Sequence, residues 1–88
     1  MQFTVGDSVW WSSQAGGSEK VKRGKVVAVV PAGVGVRTVL PRGLFLDGPG
    51  SPRKHESYLV QIGKRINIYW PLVKNLKFDT VFHGEEKQ

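Results

Sequence analysis

The chain of 88 residues reads as one small all-β domain. Eleven glycines and five prolines punctuate it. No long stretch repeats apolar residues at the helical spacing of about 3.6. Instead, short runs alternate between apolar and polar residues with turn residues between them, the pattern of strands that present one face to a core.

The first run spans the segment MQFTVGDSVWWSS, in which Phe3, Val5, Val9 and Trp11 share one parity across a Gly6-Asp7 turn. Successive side chains on a strand point to opposite faces, so Trp11 belongs to the core set and Trp10 points away from it. Residues 12–19, SSQAGGSE, read as a polar loop. The second run, Lys20 to Val30, places Val26, Ala28 and Val30 on one face and Val27 and Val29 on the other. Apolar residues on both faces predict a central strand covered on both sides. Gly24 within that run predicts a bend or bulge.

The third run, Ser57–Gly63, alternates Tyr58, Val60 and Ile62 against Leu59 and Gln61. The fourth, Lys64–Trp70, directs Ile66, Ile68 and Trp70 inward and leaves Arg65, Asn67 and Tyr69 outside. Gly63-Lys64 between them reads as a tight hairpin turn. Pro71 stops the fourth strand. Leu72, Val73 and Leu76 then suit a single 3₁₀ turn, and Leu76-Lys77-Phe78 resumes alternation as a short final strand. Residues 31–54 hold four of the five prolines but also Val34, Val36, Val39, Leu40, Leu44, Phe45 and Leu46. A structureless loop of that length is rare in a compact domain, so this insertion is expected to fold over the strands as an irregular hairpin with a mobile tip, DGPGSPRKH.

Domain organisation follows: residues 1–79 form the single domain with its insertion at 31–54, and 80–88 form an acidic, flexible tail. With no cysteine, neither a disulfide nor a thiolate metal site can staple the core. No apolar run approaches the length of a membrane span, and the N-terminus lacks the charged and apolar regions of a signal peptide. A cytoplasmic location and no membrane partner are therefore expected. Net charge is +6. The last ten residues are acidic, leaving twelve basic against four acidic residues in 1–78, a charge of +8. So basic a body favours acidic partners, nucleic acid first and acidic protein second.

Five short strands, a long loop and one helical turn before the last strand together resemble an SH3-like small barrel. The opening VGDSVWW followed by RGKVVAVV is similar to the start of KOW- and Tudor-type barrels, and the likeness covers residues 3–30 and 57–78. It also extends to small SH3-like proteins of bacteria and phages. The resemblance implies a five-stranded barrel and assigns no activity. A narrower likeness joins INIYWPLVKNL to the end of the type II plasmid dihydrofolate reductases, tetrameric SH3-like barrels that use NADPH in a central pore. Ile68 and Tyr69 match that family's Ile-Tyr pair. Asn67 stands where the family has glutamine, Arg65 where it has serine, Gly33 falls near its lysine, and Trp70 is an insertion before Pro71.

The outward set is the candidate site. Trp10, Gln61, Arg65, Asn67 and Tyr69 share the outer parity, and Arg23 and Lys25 lie on that parity of the second strand. Aromatic rings among basic and amide groups suit single-stranded nucleic acid, with bases stacking on Trp10 and Tyr69 and phosphates following Arg23, Lys25, Arg65, Arg53 and Lys54. The alternative is that the insertion covers Trp10 and Tyr69 as a second small core. A cage for a methylated cation, built from Trp10, Trp11, Tyr58 and Tyr69, conflicts with the parity that makes Trp11 and Tyr58 core. His55 and His83 are isolated, and no His, Asp or Glu grouping has ligand spacing, so no metal, cofactor or catalytic residue is expected. The sequence thus predicts a non-enzymatic binding module for nucleic acid. A protein-interaction module of a bacterial or mobile-element protein is the alternative, and a tetrameric pore-type reductase the remote one.

Overall fold

A computed structural model describes residues 3–15 and 17–79; the acidic tail inferred for 80–88, His83 included, lies outside the described residues. The domain is all-β. Strands β1 (Ser8–Ala15), β2 (Ser18–Val30), β4 (Ser57–Gln61) and β6 (Lys77–Phe78) form a four-stranded antiparallel sheet in the order β4-β2-β1-β6. A parallel pair, β3 (Phe45–Leu46) and β5 (Asn67–Ile68), lies beyond β4. It is tied to β4 by reciprocal hydrogen bonds between the Val60 and Tyr69 backbones at 2.9 Å. One helical turn, α1 (Val36–Val39), follows β2, and a 3₁₀ turn at Val73–Asn75 precedes β6, where the sequence places it.

Residues 12–19 are not a loop. β1 runs through to Ala15 and β2 begins at Ser18, with Gly17 at φ 84° completing the reversal. On the β2 side of this hairpin end Ser18, Glu19, Lys20 and Val21 are all exposed, so no apolar face is required there. Near the start of the chain, Gly6 at φ 99° suits a turn in which Asp7 N donates to Thr4 O at 3.1 Å. That turn swings Val5 out to 63% exposure, contrary to its assignment to the core, while Phe3, Val9 and Trp11 are buried as expected.

The described residues form two cores, one on each face of β2 and β4. The first gathers Phe3, Val9, Trp11, Val26, Tyr58, Val60 and Leu76. The second holds Ala28, Val30, Val36, Leu59 and Ile68, with Val39, Leu40, Leu44, Leu46 and Trp70 packed against it. Coverage of β2 on both sides is what its valine run predicts. Its simple alternation fails, however, because a bulge shifts the register between Val26 and Ala28. Val26 and Val29 therefore meet the first core while Ala28 and Val30 meet the second. An extra residue in a bulge resets the parity of everything after it.

Gly24 is not the bulge. A Cβ at Gly24 would overlap the Gln61 carbonyl oxygen and the Val60 side chain, so glycine is what lets β2 and β4 come together there. The insertion does fold back, but as α1 and β3 rather than as a hairpin. Its tip is tied down: Val36 N donates to Gly50 O at 3.1 Å and Gly33 N to Arg53 O at 2.8 Å.

Candidate functional site

Alternation along β1 and β2 decides what faces away from the first core. Trp10 pairs with Arg23 on one side and with Lys77 on the other, so three neighbouring strands set an aromatic ring between two cations. The Lys77 ammonium lies 5.1 Å from the Trp10 ring centroid, within cation–π range. One step along the sheet, Lys25 lies between Ser8 and Gln61. The face thus presents Lys77, Trp10, Arg23, Lys25 and Gln61 on a rigid sheet.

Asp79 sets the posture of Arg23. Its backbone N donates to Ser8 O at 3.0 Å. Its carboxylate Oδ2 lies 3.4 Å from Arg23 Nε, while the Arg23 side chain stays 57% exposed. The contact is made through Nε, and more than half of the Arg23 side chain remains open to solvent. Asp79 Oδ1 is buried with no hydrogen-bond partner among the described residues, so Arg23 is also the cation that balances a buried carboxylate.

The remaining predicted residues are placed elsewhere. Tyr69 does not join Trp10; it packs against the first core, with its ring 5.7 Å from that of Trp11 and the Lys22 ammonium 5.6 Å from its centroid. The parity of the fourth run is right, since Ile68 and Trp70 oppose Tyr69. The sides are exchanged because Ile68 and Trp70 meet the second core, leaving the first core for Tyr69. Ile66, expected inside, is 53% exposed in the bend before β5. With Ile68 buried and Tyr69 against Trp11, the Ile-Tyr pair of the reductase resemblance points into two different cores.

Arg53, expected on phosphates, is a structural clamp. Its guanidinium stacks 3.7 Å from the Trp70 ring centroid and donates to Pro71 O at 3.0 Å and Trp70 O at 2.9 Å. Partial burial lowers its pKa from the ordinary value. Trp70 in turn donates from Nε1 to Ser57 Oγ at 2.8 Å, so the whole arrangement fastens the insertion to the start of β4. Lys54 is exposed just past this clamp, toward the Val30 end of β2, away from Lys25. Asn67 is exposed opposite Phe45 on the β3–β5 pair. Arg65 is exposed in the turn after β4, where its carbonyl accepts from Gln61 Nε2 at 2.8 Å. It therefore borders the Trp10 face at the Gln61 edge.

Of the insertion's apolar residues, Val36, Val39, Leu40, Leu44 and Leu46 go to the second core and Phe45 stays 57% exposed, and none joins the first core against which Tyr69 packs. Lys77 was missed, although its position on the final strand is the signal that could have found it: a last strand paired with β1 sets Lys77 beside Trp10. Among the described residues no three His, Cys, Asp or Glu side chains gather as a metal site, and no helix is long and apolar enough to cross a membrane. The fold and face define an all-β domain with a cationic, aromatic sheet surface. Compared with known proteins, the chain matches no family model, no curated protein and no solved structure.

Proposed function

We propose that this chain is an SH3-like barrel acting as a non-enzymatic binding module for single-stranded nucleic acid. The barrel reading is supported by the long β2 shared between β1 and β4, the 3₁₀ turn before the last strand, and the pairing of that strand with β1. The observation that carries the functional reading is the Lys77–Trp10–Arg23 row, extended by Lys25. A base stacks on Trp10, a contact of roughly 1–3 kcal/mol that every base can make, and the flanking cations take the neighbouring phosphates. This set replaces the broader one read from sequence: Arg53, Lys54, Arg65, Asn67 and Tyr69 leave it and Lys77 joins.

The test is an amide and indole NMR titration with a mixed-sequence single-stranded oligonucleotide at low and at physiological salt. The Trp10 indole and the amides of Arg23, Lys25 and Lys77 should shift together, and salt should weaken the effect. Shifts confined to scattered lysines, or binding indifferent to salt, would refute it.

A protein-interaction module is the second reading. Its supporting observation is the β3 edge, where Phe45 at 57% exposure lies beside exposed Ile66. An unpaired edge with apolar side chains can accept another strand. A partner retained after nuclease treatment and lost with Phe45→Ser would favour it.

A further inference from the structure

A second concave feature adjoins the Trp10 face. An open cleft of about 740 Å³ lies between the Thr4–Asp7 turn, the β2 bulge, the insertion and the turn after β4. Val5, Val27, Pro41 and Leu44 supply apolar walls, and Lys25 and Lys64 are its charged residues. Among the described residues no carboxylate lines it. The volume falls within the range of about 300–1,000 Å³ typical of small-ligand sites.

The cleft is continuous with the basic face. Gly24 and Lys25 line it and also line the smaller depression formed by Ser8, Arg23 and Asp79. Val26 is three residues along β2 from Arg23, the partner of Trp10, a rise of about 10 Å at strand spacing. A single strand crossing Trp10 and Arg23 therefore meets Lys25 and then the cleft mouth.

We infer that the cleft receives an unpaired nucleobase of the same strand whose neighbour stacks on Trp10. The inference rests on the nucleic-acid reading of that face and adds a second base site to it. Three properties select this occupant. The apolar walls suit the faces of a flat ring. The two lysines suit the phosphates on either side of it. A base paired in a duplex keeps its stacked neighbours and cannot enter a concave site without being flipped out, so the cleft discriminates for single strands. Val5 serves as part of one wall, which accounts for an apolar residue left largely exposed by its turn.

The probes are a short oligothymidylate, the same length of strand with abasic sites, and the thymidylate strand paired with oligoadenylate. With oligothymidylate, the amides of Val27, Leu44 and Gly63 should shift along with the Trp10 indole. Abasic strand and duplex should leave those three amides unmoved. The neutral substitution Val5→Asn should weaken oligothymidylate binding about threefold and leave the Trp10 indole response in place, since it removes apolar cover and no charge. The cleft inference is overturned, and the face reading kept, if the Trp10 indole moves while Val27, Leu44 and Gly63 stay still. Both fall if neither responds. Movement of the cleft amides with an acidic peptide but not with oligothymidylate also overturns the inference and assigns the cleft to a protein ligand.

Discussion

Removing the Arg53 side chain should destabilise the fold and leave recognition alone. Arg53 donates two hydrogen bonds to backbone carbonyls, at 3.0 and 2.9 Å, and stacks on Trp70 at 3.7 Å. Hydrogen bonds from a charged donor are worth about 1.5–3 kcal/mol each, and a partly desolvated cation–π contact about 1–2. These terms share one side chain and do not add in full. Arg53→Ala is therefore expected to cost about 2–4 kcal/mol. In a domain of this size each kcal/mol lowers Tm by about 4–8 °C, so thermal unfolding followed by circular dichroism should move down by about 10–30 °C. Arg53→Lys keeps the charge but loses the planar fork, and should recover less than half of the loss. At a temperature where it is fully folded, Arg53→Lys should bind an oligonucleotide with the same salt dependence as the parent. A fall in Tm of less than about 3 °C for Arg53→Ala would refute the clamp. So would an Arg53→Gln variant, compared at a temperature where it is fully folded, whose salt slope drops by about 0.7, because that is the signature of a lost phosphate contact.

Three further outcomes are expected. With Arg23, Lys25 and Lys77 on phosphates, affinity for a single strand should fall about 18-fold between 50 and 200 mM salt, and Lys25→Gln/Lys77→Gln should reduce that to about threefold; fluorescence anisotropy at several salt concentrations measures it, and an unchanged slope excludes those contacts. The Tyr58 hydroxyl is pushed from 10.0 up to about 12, first by burial and then by its hydrogen bond to Glu56. Its protonated form is thus favoured in the fold, so the stability is whole below pH 10 and is lost as pH rises toward 12. Urea denaturation should show the parent losing about 1–2 kcal/mol between pH 9 and 11 that Tyr58→Phe does not lose; parallel curves would contradict this. Gly24→Ala should cost about 1–3 kcal/mol, since its methyl group would overlap the Gln61 carbonyl and the Val60 side chain, and an unchanged denaturation midpoint would show that β2 and β4 can move apart there.

Much of the site was legible at the level of single strands. The adjacent tryptophans separate as parity demands, with Trp11 in the first core and Trp10 on the outer sheet face. Arg23 and Lys25 follow from the same rule on β2. Lys77 was harder to find, because nothing in its local sequence says which strand it pairs with. Arg53 was misplaced because a basic residue among Gly, Ser and Pro looks solvated, and only Trp70, 17 residues later, gives it another use.

Tyr69 marks the division most clearly. The sequence determined by itself that the chain is all-β, that Tyr69 opposes Ile68 and Trp70, and that β2 is covered on both faces. These are local properties, set by a side-chain period of two and by the distribution of apolar residues. Only the tertiary structure decided which face of each strand meets which core, where the bulge at Val26–Ala28 resets the parity, and that Lys77 and Arg23 flank one ring. The physical reason is that a strand's two faces are equivalent until other segments cover them. The covering segments here, the insertion and the final strand, reach β2, β4 and β1 through contacts distant in sequence.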